Sequence, residues 1–314
     1  MTLIRRILVA IKDPAATTHP AVSKAAQLAK ALDADLELFH AISTTLYIDP
    51  FAPSDTTARR EESMRAGCLA QLNAIAAPLR GQQLRVNVAA EWDFPAYEAI
   101  IRRAKQVESD LIVAGCHAQS HVGGGLLRLT DWELLRLSPV PTLLVKRSGR
   151  YSRPVVLAAV DPAHLFAKTA ELDENILRTG RVVADALEGT LHAMHAQMPF
   201  PLAGPPPHGT IDAPTLERLD AEVASETRQR FDRALRATGI SSEQRHLVQQ
   251  TPANAIRETA SKLESSIVVM GALSRSGLKR LFIGNTAESV LDDLTCDVLI
   301  VKPADFRARV ARNR

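Results

Sequence analysis

Late in the chain, Gly271-Ala272-Leu273-Ser274-Arg275-Ser276-Gly277 is followed, after residues 278–283, by Gly284-Asn285-Thr286-Ala287-Glu288. These are the residue types that hold an anion. A glycine at the end of an apolar run has no Cβ, so backbone N–H groups can come close to a phosphate. Gly284-Asn285-Thr286 stands just before a helical pattern, where unpaired N–H groups and the helix dipole favour negative charge. Arg275 and Lys279 add positive charge nearby. The same residues also make a tight turn followed by an Asn/Thr helix cap. Taken alone, the loop is a candidate phosphate cradle and equally a candidate turn.

Other reactive side chains point more weakly to chemistry. Cys116, His117 and His121 form a Cys-His-x3-His cluster. Two histidines four apart share a helix face as zinc ligands can, but three glycines follow and no fourth ligand is evident, so polar loop residues are expected and no metal. His192 and His195, three apart on an expected strand, face opposite sides of a sheet. Each is expected to hydrogen-bond locally. Gly-x-Ser-x-Gly, the Walker lysine pattern and His-Glu-x-x-His are all absent. Asp292 and Asp293 read as a solvated helix face. With no nucleophile or general base to name, the residues give no reason to expect catalysis.

The elements that must position this loop occur twice. Ile7-Leu8-Val9-Ala10-Ile11 opens one half and Val155-Val156-Leu157-Ala158-Ala159-Val160 the other. Each run ends at a polar residue and a proline, as a buried parallel strand does. Helical patterns follow at Pro20–Leu32 and residues 174–187, then strands at Asp35–Ile42 and residues 190–198, with His40 and His195 in equivalent places. Long helices are predicted over 57–79 and 214–238, and third strands over 84–90 and 244–249. Pro95 and Pro252 each introduce a helix, since proline loses nothing in a first turn. Residues 111–114 and 267–270 end in glycine, and strands at 141–145 and Asp297–Val301 close the halves. From residue 115 to 146 and from 271 to 302 the copies match at a constant offset of 156 without gaps.

The pattern is β-α-β-α-β-α-β-α-β, twice. It predicts an α/β protein of two tandem, doubly wound, parallel five-stranded sheets with ligands beyond the carboxyl ends of the strands. The expected domains are 1–148 and 151–303, followed by a basic tail, 304–314.

The first half serves as an internal control. At the 156-residue offset Ala118 replaces Ser274, Arg128 replaces Gly284 and Leu129 replaces Asn285. A large side chain then occupies the place where backbone would meet phosphate. The second half is expected to keep a pocket and the first to act as scaffold.

Composition narrows the class. Of 314 residues, 46% are hydrophobic, yet apolar runs such as residues 267–270 are far too short to span a bilayer. The opening residues read as a first strand, not a signal peptide. Three widely spaced cysteines suggest no disulfide framework, so a cytoplasmic location is expected. The tail arginines Arg307, Arg309, Arg312 and Arg314 supply more than the whole net charge of +3. The body is therefore not basic, and no specific nucleic-acid partner is expected. Residues 198–214 hold six of the eighteen prolines, a stretch able to serve as a lid or as a rigid connection.

Two such halves, each with a strand-one Asp, a strand-four glycine loop and a closing hydrophobic strand, resemble the universal stress protein family. Thr130-Asp131-Trp132-Glu133-Leu134-Leu135, Glu98-Ala99-Ile100-Ile101 and Gly284-Asn285-Thr286-Ala287-Glu288 are similar to phrases of its tandem E-type members. The resemblance runs to about Pro303. Nucleotide-binding members carry Gly-x2-Gly-x9-Gly-[Ser/Thr] after strand four. Gly271 and Gly284 take the first and third glycine positions, with the nine-residue spacer intact. Ser274 stands at the second glycine and Asn285 at the Ser/Thr, with Thr286 adjacent.

By this resemblance Asp161 lies near the adenine, Ala196 flanks the base, and Lys12 takes the first half's aligned position with Asp13 one residue later. The resemblance implies a stress-response binding or signalling protein with an ATP or ADP site, with Mg²⁺, in the second domain. An alternative is an apolar or lipid-like ligand under the Pro-rich stretch, with Phe200 lining it and the nucleotide motif vestigial. A third is a weak ATPase. The family pairs domains through their last strands, which implies an internal pseudo-dimer; a homodimer of the whole chain and protein partners stay open.

Overall fold

The computed structural model describes residues 4–43, 54–116, 125–162, 170–197, 213–272, 290–291, 293–307 and 310. The chain divides into two compact units, Met1–Tyr151 together with Arg307–Arg314, and Ser152–Phe306.

The first unit runs β1 (Arg6–Ala10), α1 (Pro20–Leu32), β2 (Asp35–Ile42), α2 (Ser54–Gly81), β3 (Val86–Trp92), α3 (Ala96–Gln106), β4 (Leu111–Gly115), α4 (Gly125–Leu137) and β5 (Thr142–Val145). Its strands lie in the order β3-β2-β1-β4-β5, all parallel. Parallel neighbours need a crossover, and the helices between them provide it while covering the sheet. Ile7, Leu8 and Val9 are fully buried, which is why β1 reads as an unbroken apolar run and does not alternate. On α1, Ala21, Val22, Ala25, Leu28 and Ala29 form the buried stripe at helical spacing. The helix stops at Asp33, which takes a left-handed conformation.

The second unit repeats this path with β6 (Val155–Ala159), α5 (Ala170–Ala186), β7 (Thr190–Ala196), α6 (Ala213–Leu235), β8 (Arg245–Val248), α7 (Pro252–Lys262), β9 (Ile267–Gly271) and β10 (Asp297–Val301). The order is β8-β7-β6-β9-β10, again parallel. Ile267, Val268 and Val269 have no exposed surface. The expected α/β class and the duplicated parallel order are therefore both present. Of the segment leading into β10, the described residues Val290 and Leu291 are helical and buried.

Local details differ from the sequence expectation. Pro252 sits in the first turn of α7, but Pro95 is the extended cap before α3, at φ −75° and ψ 154°. An extended residue suits the position before a helix as well as proline's fixed φ suits the first turn. The helices α2 and α5 begin three and four residues earlier than the sequence pattern suggests; α2 opens on the polar Ser54-Asp55-Thr56, which carries no hydrophobic signal.

Charge pins α3 to its sheet. Arg102 makes a bidentate pair with Asp93 at 2.8 and 2.6 Å and a further bond to Glu98 at 2.9 Å. Arg103 reaches Glu37 on β2, from Nε at 3.0 Å, and Glu91 on β3 at 2.9 Å. The side chain of Gln27 on α1 brackets the backbone of Tyr151, donating at 3.0 Å and accepting at 2.9 Å. Lys24 lies 4.6 Å from the Tyr151 ring centre.

Candidate functional site

The carboxyl edge of the second sheet brings together three of the expected site residues. Ala159 pairs with Met194 on β7 and with Met270 on β9. Two residues further on, Asp161 therefore stands level with Ala196, and Gly271 ends the neighbouring strand. The remaining candidates, Ser274, Arg275, Gly284, Asn285 and Thr286, lie outside the described residues, as do the Pro-rich stretch with Phe200, His117 and His121.

Asp161 is the side chain out of place by ordinary rules. It is 6% exposed, yet neither carboxylate oxygen has a hydrogen-bond partner among the described residues. His195 Nδ1 stands 3.9 Å from Oδ1, too far for a hydrogen bond. Next to Ala196, Gln197 is also 6% exposed, and its Nε2 likewise has no partner. Two adjacent strand ends thus present acceptors and a donor, all buried and unsatisfied. Native structures contain few such groups, and each calls for an explanation.

The backbone beneath Asp161 is held firmly. Its N–H donates to both carboxylate oxygens of Asp173, at 3.1 and 3.0 Å. Asp173 lies in the first turn of α5, where negative charge is favoured. Sequence reasoning missed both Asp173 and Gln197. The first could have been found as an acid opening a helix; the second carried no signal except its place one residue beyond Ala196.

His195 is structural. Its Nδ1 lies 3.0 Å from the carbonyl of Val160, which only accepts, so Nδ1 carries the proton. His40 does the same in the first unit, 2.8 Å from the carbonyl of Ile11. On the other side of β7, His192 Nδ1 lies 2.9 Å from His246 Nε2, with the rings nearly parallel at 9°. Burial lowers the pKa of His192; burial, then the charges of His192 and Lys262, lower that of His246.

The two units can be aligned through their backbone bonds. Ile11 N–H donates to Phe39 and Val160 N–H to Met194, so Lys12 corresponds to Asp161 and Ile42 to Gln197. The buried acceptor–donor pair is thus confined to the second unit. At Lys12, partial burial lowers the pKa while Asp131 and Asp13 oppose that shift. In the first unit the equivalent position is a cation among its own carboxylates.

Gly271 has a reason beyond phosphate approach. A Cβ there would lie 2.8 Å from Leu172 Cδ2 and 3.0 Å from Ile176 Cδ1, both on α5. A Cβ at its counterpart Gly115 would have nothing within 4 Å among the described residues. The glycine therefore lets α5 pack closely over the strand end that carries the site.

Among the described residues, no group of three or more His, Cys, Asp or Glu is placed to hold a metal ion. No helix among them is long and apolar enough to cross a membrane.

Comparison with known proteins gives a consistent result. The model of the universal stress protein family matches residues 3–146 and again 156–302. Universal stress protein E of Escherichia coli K12 is 29% identical over 99% of this chain and 98% of its own length. The protein of that name from Photorhabdus laumondii is 26% identical over 96% of both. Among solved structures, a universal stress protein from Pseudomonas aeruginosa UCBPP-PA14 is similar with a TM-score of 0.74 and 26% identity, covering 97% of this chain and 95% of that one. One from Archaeoglobus fulgidus shares the fold with a TM-score of 0.60 at 18% identity, covering 97% and 98%. Two family domains, matched in order over nearly all of its length, mean that this chain belongs to the universal stress protein family as a tandem-domain member of the E type.

Proposed function

We propose that the second unit binds an adenine nucleotide, ATP or ADP, and that the protein works as a stress-response binding or signalling protein. The observation that carries this reading is the buried Asp161 carboxylate and the nearby Gln197 Nε2, neither with a hydrogen-bond partner among the described residues. A carboxylate only accepts, and Gln197 Nε2 only donates. An adenine edge offers the complement: an exocyclic amino group to give and ring nitrogens to take. Ala196, between them in sequence, adds a small side chain against which a base can lie. The glycine-spaced loop that follows Gly271 supports the phosphate end, and Mg²⁺ would accompany a triphosphate there. Neither the sequence nor the described residues supply a general base, so we favour binding over turnover.

Isothermal titration of the purified protein with ATP and with ADP, with and without Mg²⁺, tests this. Micromolar binding at one site per chain is expected. Asp161→Asn should weaken it at least tenfold, equivalent to about 1.4 kcal/mol, because Asn offers an N–H where the amino group must be accepted. Gly284→Trp should abolish it. No binding at millimolar nucleotide, or unchanged affinity in both variants, overturns the reading.

A further inference from the structure

Between α5 and α6 lies a groove of about 850 Å³, one end of which, at Pro162 and Asp173, adjoins Asp161. On α5 it is lined by Glu174, Leu177, Arg178 and Arg181, and on α6 by Arg230, Arg233, Ala234 and, just beyond the helix, Ala237. Both sets follow i, i+3, i+4, i+7, so each is one helix face. The volume falls in the range of small-molecule sites. Leu177 and Leu191 are buried at its floor, while Ala234 and Ala237 are exposed and too small to fill it.

Five arginines surround this groove: Arg178, Arg181, Arg230, Arg233 and Arg236. Two are committed to carboxylates, Arg181 to Asp185 at 3.4 Å and Arg230 to Glu226 at 2.5 Å. Arg178 donates to the neutral side chain of Asn175. Arg233 and Arg236 have no carboxylate partner among the described residues. Of the acids lining the groove, Asp173 takes the Asp161 N–H, which leaves Glu174 as the counter-charge. One arginine in the last turn of α6 is explained by the helix dipole. A row of three at positions 230, 233 and 236 is not, since like charges at that spacing repel.

We propose that this groove binds a phosphomonoester bearing an apolar group. The guanidinium forks of Arg233, Arg236 and Arg178 clamp the phosphate, and the apolar group lies along Leu177, Leu191, Ala234 and Ala237. The occupant is a small molecule, because about 850 Å³ is the size of a small-molecule site. Asp161 itself does not line the groove, although its neighbour Pro162 and its partner Asp173 do, and the phosphate clamp uses arginines of α5 and α6 only.

Phenyl phosphate and inorganic phosphate, titrated into the full chain and followed by calorimetry, are the probes. Phenyl phosphate should bind saturably and at least tenfold more tightly than inorganic phosphate. The double change Arg233→Gln, Arg236→Gln should weaken it at least tenfold, and Ala234→Trp should block it by filling the groove. All three positions are exposed, and circular dichroism confirms folding of each variant. Asp161→Asn should leave phenyl phosphate affinity unchanged while it alters nucleotide affinity. Equal binding of the two probes, unchanged affinity in the arginine double variant, or loss in Asp161→Asn each overturns the proposal.

Discussion

A buried polar group left without a partner destabilises a fold by about 1–3 kcal/mol, a cost at Asp161 that the proposed nucleotide would offset. Asp161→Asn removes the buried charge and should raise stability by about 1 kcal/mol, or roughly 2–4 °C in Tm for a unit of this size, while nucleotide affinity falls. Thermal melting in the absence of nucleotide measures the first effect and titration the second; a lower Tm in the variant would show that the carboxylate has a structural partner. The His192–His246 pair makes a different kind of prediction. Burial holds both pKa values below the ordinary 6.5 in the folded state. The unfolded chain then binds more protons, so the pair's contribution is complete above pH 6.5 and is lost as pH falls from there through the folded values. Melting curves between pH 7.5 and 5 should show declining Tm, and His246→Gln should flatten that decline.

At the scale of elements, Gly271 and Gly115 are equivalent in sequence and unequal in packing. Gly271→Ala forces Leu172 and Ile176, both fully buried, away from their places and should destabilise the protein by about 1–3 kcal/mol. Gly115→Ala meets no described neighbour within 4 Å and should fall within about 1 kcal/mol of wild type on the stabilising side, by restricting the unfolded chain. Urea denaturation of the two variants makes the comparison directly. The helix α3 is secured in another way. Glu37 is 5% exposed and paired with Arg103, so Arg103→Ala leaves a buried carboxylate uncompensated. A loss of about 3 kcal/mol is expected in the same assay, and a loss near zero would mean that Glu37 finds water.

For the whole molecule, the divergence of the two units predicts one nucleotide per chain, not two. Lys12→Ala should leave nucleotide affinity unchanged, and a titration reaching two equivalents would contradict the difference between Lys12/Ile42 and Asp161/Gln197. Much of this was legible without coordinates. Apolar runs ending in Asp-Pro, the constant 156-residue offset and the proline-led helices specified two parallel α/β units, because strands buried on both faces leave an unbroken hydrophobic signature. The glycine spacing and the Asp after the first strand pointed to the sheet edge proposed as the ligand site. Burial and partnership were not legible: that Asp161 and Gln197 stand withdrawn from water, that Asp173 holds the Asp161 backbone, and that arginines from α5 and α6 line one groove. Those relations join residues from 12 to about 60 positions apart, and a hydrogen bond made or missing at such distances depends on strand register and helix packing. Sequence alone determined the elements and their repetition through local periodicity; the tertiary structure decided which polar groups were left unsatisfied, because satisfaction depends on every neighbour a side chain meets.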